Sequence, residues 1–368
     1  MSAEATSERQ DVVVIGGGQA GLAMGHELKR QGRRFTILEA ASEPAAAWRA
    51  RWDSLRLFTP ARYDSLRGRP FPGDPDSHPS RDDVVAYLAD YAQHFELPVQ
   101  LGSKARAVRW DAGRFVVETD DRAFEADQVV IATGPFQVPR RPLIAEQLDA
   151  AVGQLHSSAY RSPRDVAPGP VLVVGGGNTG FQIAEELVGS HEVHLSVGSR
   201  QTPLPQRVLG RDVFFYLEAT GLMSKTVSSR IGRRMAARDT LIGSSPRRAR
   251  ATGVQLRPRT TGLSGAEVQF ADGTRLAPGT VIWATGFAMD HSWIDLPVFD
   301  GDGRPAHERG VTTVPGLYFL GLPWQHTRGS ALLGWVKDDA AYIAARIARW
   351  TGASSGADAG ARAPVIAR

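Results

Sequence analysis

The stretch "DVVVIGGGQAGLAMGHELKRQGRRFTILE", residues 11–39, carries the reading on which the fold depends. Residues 12–15 are a run of four apolar side chains, the pattern of a short buried strand. Gly16, Gly18 and Gly21 follow at the spacing G-x-G-x-x-G. Ala20, Ala23, Met24 and Leu28 then recur at helical spacing, and Gly32 closes the helix. Residues 35–38 form a second strand that stops at Glu39, 18 residues beyond Gly21. Strand, glycine turn, helix, strand and terminal acid together make a dinucleotide-binding βαβ unit. Gly16 permits the tight turn, Gly18 lets backbone approach a pyrophosphate, and Gly21 lets helix pack on strand. The start of the helix offers N–H groups and a partial positive charge to phosphates. Glu39 is placed to accept from ribose hydroxyls.

Further along, the chain begins again. Residues 171–174, "VLVV", precede Gly175, Gly177 and Gly180 at the same spacing, with Asn178 and Thr179 inside the loop. A helix carrying Ile183, Ala184 and Leu187 follows, then a strand through Val193, Leu195 and Val197. Each copy ends alike: a meander and an apolar strand run into Ala132-Thr133-Gly134 in the first and Ala284-Thr285-Gly286 in the second. An internal repeat of this kind implies two dinucleotide sites in one chain. Between the copies, residues 41–79 carry six prolines and read as a long irregular excursion, whose Trp48 and Arg49 are candidates to line a cofactor or to pack the loop. Ser80 with Asp83 reads as a capping box, followed by an apolar face of Val84, Leu88, Tyr91 and Phe95. After the second copy, "GLYFLG" at 316–321 reads as a strand returning to the first module. Ser330 is read as the cap of a last helix whose stripe is Leu333, Val336, Ala340, Ile343, Ile347 and Trp350.

The expected fold is therefore α/β, with two Rossmann-like domains and the second inserted into the first. Residues 1–147 and 288–351 form one domain, 148–287 the other, and 352–368 a tail rich in Ala and Gly, expected to be disordered. A chain of 368 residues suits two domains. No apolar run approaches the roughly 18 residues of a membrane span. No secretory signal is visible, and a cytoplasmic location is expected. The absence of cysteine excludes disulfides, thiolate metal sites and a redox-active cysteine pair, and no metal site is expected. Residues 230–259 hold nine arginines against one acid, Asp239. With no aromatic residue interleaved, that segment does not suit nucleic acid; it reads as a solvated face or as an attraction for an anionic cofactor.

The two modules differ where a ribose would sit. Glu39 would repel a 2′-phosphate, whereas Ser199 and Arg200 follow the corresponding strand of the second module and an arginine fork suits that phosphate. The assignment that follows is FAD in the first module and NADPH in the second, with NADH use left open. Flavin plus nicotinamide defines a hydride relay into the flavin ring.

Beyond these loops, the chain resembles the flavin-containing monooxygenases, most closely their short bacterial CzcO-type branch, over about residues 10–350. The resemblance rests on "WRARWDSLRLFTP" at 48–60, "ATGP" at 132–135, "HSSAY" at 156–160, "WATGF" at 283–287 and "GLPWQHTRGSALLG" at 321–334. Of the family motif F-x-G-x-x-x-H-x-x-x-F/Y, His156 and Tyr160 match, while Ala150 and Val152 stand at the phenylalanine and glycine positions. Pro60 stands where the eukaryotic members carry an asparagine close to the flavin. The resemblance implies that NADPH reduces FAD, that O2 adds at flavin C4a, and that the hydroperoxide gives its terminal oxygen to nitrogen or sulfur of a small molecule. It implies His156 and Tyr160 as residues near the domain joint with a catalytic role, and Ser330 near the reduced flavin. Two other readings are an NAD(P)H:acceptor oxidoreductase or oxidase releasing hydrogen peroxide, and a redox-responsive flavoprotein that docks another protein through residues 230–259. The oligomeric state is not legible.

Overall fold

The computed structural model describes residues 8–238 and 240–350; the expected tail at 352–368 lies outside the described residues. Two parallel sheets organise the chain. The first runs in the order Val99–Gln100, Phe35–Leu38, Glu8–Ile15, Ala123–Ile131, Leu317–Phe319, all parallel, and ends in two short antiparallel strands, Val311–Thr312 and His307–Glu308. The second runs Gln255–Arg257, Val193–Ser196, Val171–Val174, Thr280–Trp283, Gly153–His156, again all parallel. Strand Leu317–Phe319 lies beside Ala123–Ile131, so the chain leaves the first sheet, builds the second and comes back. This is the inserted arrangement that the sequence repeat implies.

The apolar runs are buried as their pattern requires. Val12, Val13 and Val14 are wholly buried, as are Val171, Leu172 and Val173. Burial of side chains of this size is worth about 1.5–3 kcal/mol each, which pins the register of the central strands. Helix Gln19–Arg30 covers one face of the first sheet and meets Val336–Ala348, whose Val336, Ala340, Ile343 and Ile347 have no exposure. Helix Arg81–His94 starts at the expected capping box, Ser80 with Asp83. The meander is longer in its last strand than the sequence suggests. Residues Ala123–Ile131 form one strand that pairs antiparallel with Arg114–Glu118 and parallel with Glu8–Ile15.

Ser330 does not cap the last helix. Thr327 caps a short 3₁₀ turn, Arg328–Ala331, in which Ser330 is the third residue. The Ser330 hydroxyl accepts from the backbone N–H groups of His326 and Thr327, both at 3.0 Å. Leu332 is then extended, and Gly334 lies against the Tyr63 carbonyl so tightly that an added methyl would sit 1.7 Å from it. The helix begins at Val336 without a side-chain cap.

The excursion does more than connect. Its Trp52 and Leu55 are buried in the core of the second module, and Trp48 and Leu57 pack against both cores. Phe58 and Tyr63 join Phe214 and Trp335 in a third apolar cluster, where Tyr63 and Trp335 stack with centroids 5.7 Å apart. Asp64 follows in the same stretch and is fully buried. Thr59 donates to one of its oxygens at 2.6 Å, and the other has no partner. Burial pushes the Asp64 carboxyl up to about 7. The folded protein therefore holds a proton that the unfolded chain releases between about pH 4 and 7, and stability falls as pH rises through that window. An Asp64→Asn variant should gain on the parent between pH 5 and pH 8.5, by up to about 3 kcal/mol at 1.36 kcal/mol per pKa unit. Thermal unfolding at the two pH values measures it. A difference in midpoint between variant and parent that does not widen with pH would mean that the carboxylate is ionised and satisfied throughout.

Candidate functional site

Both glycine loops share one construction. In the first, Gly16 has φ +113°, and an added methyl would lie 2.5 Å from the Ala132 carbonyl oxygen; at Gly21 it would lie 1.8 Å from that of Gly16. In the second, Gly175 has φ +135° and would meet the Ala284 carbonyl at 2.2 Å, and Gly180 would meet that of Gly175 at 2.0 Å. The middle glycines differ. A methyl at Gly18 or Gly177 would meet nothing within 4 Å. Helices Gln19–Arg30 and Asn178–Leu187 both start without a side-chain cap. Each loop thus presents an open face and a helix start to a ligand, a cradle that fits a dinucleotide pyrophosphate.

The register identifies what stands beside each loop. Gly16 N–H donates to Leu38 O at 2.7 Å and Gly175 N–H to Ser196 O at 3.0 Å, so the counterpart of Glu39 is Val197. Glu39 accepts from the N–H groups of Gly17 and Ala41 at 2.8 and 3.0 Å. In the second module the side chain nearest Gly176 is Gln201, whose amide also donates to Ser199 Oγ at 3.3 Å. Ser199 and Arg200 lie exposed on the loop beyond the strand. Arg259 donates to Gly198 O at 2.6 Å and so brings a second guanidinium to that loop. Beside it, a cavity of about 340 Å³ opens at the carboxyl ends of Val193–Ser196 and Gln255–Arg257, lined by Val197, Pro246, Arg250, Leu256, Arg257 and Pro258. Sequence reasoning found no signal for Gln201, and read Arg250, Arg257 and Arg259 only as part of a basic segment.

In the first module three distant stretches converge on the helix start. The Trp48 indole N–H donates to Gln19 Oε1 at 2.8 Å, and Gln19 Nε2 donates to Ala331 O at 3.4 Å, next to the buried Ser330. Arg49 points the other way and pairs with Glu43 at the surface at 3.0 Å. Asn178 spends its amide inside the second module: Ile242 N–H donates to its oxygen at 2.9 Å, and its nitrogen donates to Thr240 O at 3.4 Å. Thr179 is half-buried at the start of the same helix.

The two crossovers between the sheets run side by side. Val138–Pro139 pairs antiparallel with Phe287–Ala288, and Arg140 N–H donates to Gly286 O at 2.9 Å. Thr285 donates its hydroxyl to Arg140 O, and Gln137 donates to Thr133 and Gly134 at 2.9 and 2.8 Å. His156 sits against this ribbon. Ser158 N–H donates to its Nδ1 at 3.1 Å, which leaves the ring proton on Nε2 to donate to Gly286 O at 3.0 Å. Burial lowers its pKa and keeps the ring neutral. Arg51, from the excursion, lies over Phe136 and Phe287, one ring from each crossover, at 4.5 and 5.2 Å. Tyr160 is fully buried in the second core and donates to Glu186 at 2.8 Å; burial and that carboxylate raise its pKa. His156 and Tyr160 are thus both engaged with the protein itself, at the joint and behind the second sheet.

Two parallel sheets, two open glycine loops and a paired crossover define an oxidoreductase that binds flavin and NADP(H). The chain belongs to the pyridine nucleotide-disulphide oxidoreductase family, whose model matches residues 13–208; within it, this is a short protein of the bacterial flavin-monooxygenase, CzcO type. It is 44% identical over 336 residues to an uncharacterized oxidoreductase CzcO-like of Geobacillus kaustophilus (strain HTA426), a match covering 90% of this chain and 97% of that one. It superposes on a flavin-containing monooxygenase from Stenotrophomonas maltophilia with a TM-score of 0.79 at 32% identity, covering 93% of this chain and 98% of that chain. A probable indole-3-pyruvate monooxygenase, YUCCA7 of Arabidopsis thaliana, is 32% identical over 216 residues, 55% of this chain and 50% of that one. The protein is a flavin-dependent enzyme of the monooxygenase type. Among the described residues no helix is long and apolar enough to cross a membrane, and no group of three or more His, Asp or Glu side chains is placed to hold a metal ion.

The geometry separates the two loops experimentally. Gly18 and Gly177 have ordinary backbone angles and open space before them, so Gly18→Val and Gly177→Val should both fold. Gly18→Val should purify without flavin. Gly177→Val should keep its flavin absorbance and lose reduction by NADPH. Circular dichroism, the visible spectrum and anaerobic NADPH titration check all three points, and a Gly177→Val protein that is still reduced normally would show that this loop does not bind the nicotinamide cofactor.

Proposed function

We propose that the enzyme transfers one atom of O2 to nitrogen or sulfur of a small molecule at the expense of NADPH. The substrate, O2, NADPH and a proton give the oxygenated substrate, water and NADP⁺. The observation that carries this reading is the pair of open glycine loops in a chain without cysteine, which has no dithiol to take electrons onward from a flavin. Likeness to the two monooxygenases named above supports oxygen as the acceptor. FAD, when bound, supplies hydride acceptance and oxygen activation at C4a.

In this reading Gly16, Gly18 and Gly21 hold the FAD pyrophosphate, with Trp48, Thr133, Gly134 and Ser330 close by. Glu39 already accepts two backbone N–H groups and has lone pairs left for ribose hydroxyls. Gly175, Gly177, Thr179 and Gly180 hold NADPH, with Ser199 and Arg200 at its 2′-phosphate and Thr285 and Gly286 at the crossover. Asn178 shapes the second loop by pinning Thr240–Ile242 to it. His156 and Tyr160 act as positioning residues, holding the crossover and the second helix; neither moves a proton. Residues 1–147 and 288–351 are the FAD unit and 148–287 the NADPH unit.

Loss of a charge-assisted contact costs about 1.5–3 kcal/mol. Arg200→Ala should therefore weaken NADPH by roughly ten- to a hundredfold and leave NADH nearly unchanged, read from anaerobic flavin reduction. Equal weakening of both would place Arg200 outside the 2′-phosphate site. Oxygen fate tests the reaction itself. With ¹⁸O2 and a panel of sulfides and amines, one labelled atom should appear in the sulfoxide or N-oxide, with part of the NADPH lost as hydrogen peroxide. If all NADPH consumed appears as peroxide, the oxidase reading replaces this one.

A further inference from the structure

A cavity of about 210 Å³ lies between the two modules, lined by Asn178, Met235, Arg238, Thr240, Trp324 and Arg328. Trp324 and Arg328 come from the loop that follows Leu317–Phe319 in the first sheet; the other four belong to the second module. The position is fixed from both sides. The same loop reaches the start of the first glycine-loop helix through the bond from Gln19 to Ala331 O. Val227 N–H donates to His326 O at 2.8 Å, which ties the loop to the second module just before the helix Arg230–Ala236. Asn178 is the first residue of the second glycine-loop helix. A molecule in the cavity therefore lies between segments that follow the carboxyl ends of strands in both sheets, the side on which α/β proteins take their ligands.

Among the described residues that line this space are two arginines, an asparagine and a threonine, and none of the described lining residues is acidic. Trp324 holds φ +57°, a left-handed backbone that a bulky residue adopts only where its surroundings impose it. We infer that this cavity receives the anionic group of the substrate, so that the molecule oxygenated is a small carboxylate bearing the sulfur or nitrogen. This rests on the oxygenation proposed above. NADPH is the other source of an anion, but its pyrophosphate belongs on the N–H groups of the helix start. The Asn178 amide is already engaged by Thr240 and Ile242.

The test uses the holoenzyme with NADPH and two thioethers of one shape, 3-(methylthio)propanoate and its amide. The carboxylate should be preferred at least tenfold in kcat/KM, and Arg238→Gln should cut that preference tenfold to a hundredfold. Arg238 is exposed, and an unchanged flavin spectrum certifies the variant's fold. Equal use of both thioethers by the parent enzyme would overturn the inference. So would an unchanged preference in the variant together with weakened NADPH in anaerobic reduction, which would give the arginine to the dinucleotide. If neither thioether is oxygenated, the proposed reaction falls, and calorimetry on oxidised holoenzyme with NADP⁺ decides the cavity: carboxylate binding that exceeds amide binding and is lost in Arg238→Gln upholds it, and equal binding overturns it.

Discussion

At Gly21 the backbone of the first helix lies against the Gly16 carbonyl with no room for a single methyl group, and Gly180 repeats the contact on Gly175. Everything else follows from that closeness. It brings the helix start to the carboxyl edge of its strand, so the free N–H groups and the positive end of the helix point at one place. It also fixes where the neighbouring strand must end, because Gly16 and Gly175 bond the last carbonyls of Phe35–Leu38 and Val193–Ser196. Ala132 and Ala284 close the same corners from the other side, within 2.5 Å and 2.2 Å of where a methyl would be. Each corner is thus backbone against backbone on three sides and open only at Gly18 or Gly177.

The proposed reaction adds a second constraint: the two units would have to hold their loops at a set distance for hydride to pass between them. Two separate chain crossings would leave a loose joint. Here the crossings pair as a two-stranded ribbon, stiffened by Thr285 on Arg140 and by Gln137 on Thr133 and Gly134. His156 locks the ribbon to the second sheet while its ring stays neutral, and Arg51 stacks on one aromatic ring from each crossover. The excursion of residues 41–79 adds a second brace by burying Trp52 and Leu55 in the far core.

Much of this was legible in the sequence because its signals are local. Glycine spacing, the apolar runs and the capping box at Ser80 each depend on residues within a few positions, and each appears where the spacing puts it. The return of the strand at 317–319 was legible from the repeat, since a strand with no partner in the second module must pair with the first. What failed has no such local signal. Ser330 has the composition of a helix cap, but its hydroxyl accepts from His326 and Thr327 inside a 3₁₀ turn that extended Leu332 separates from the helix. Gln201 beside Gly176 had no sequence signal, because it reaches that place from beyond the strand and not from the strand's end. Trp48 could be named as a site candidate, but its partner Gln19 could not.

The two modules share a backbone and differ in charge, and the difference has a structural origin. In the first, the strand delivers Glu39 directly beside Gly17, where a carboxylate with two fixed N–H donors would repel a phosphate at the proposed ribose site. In the second, the strand delivers Val197 to the same register, and the neutral amide of Gln201 fills the carboxylate's place. Removing one negative charge would not by itself attract a phosphate. The loop beyond the strand adds the positive part: Arg259 is anchored on Gly198 O and Arg200 follows two residues later, with Arg250 and Arg257 lining the adjoining cavity. The concentration of arginine between residues 230 and 259 thus divides by position, Arg238 facing the junction of the modules and the later arginines facing the end of the second sheet. One backbone design, given an acid in one copy and arginines in the other, is the physical basis of the proposal that the two copies take different dinucleotides.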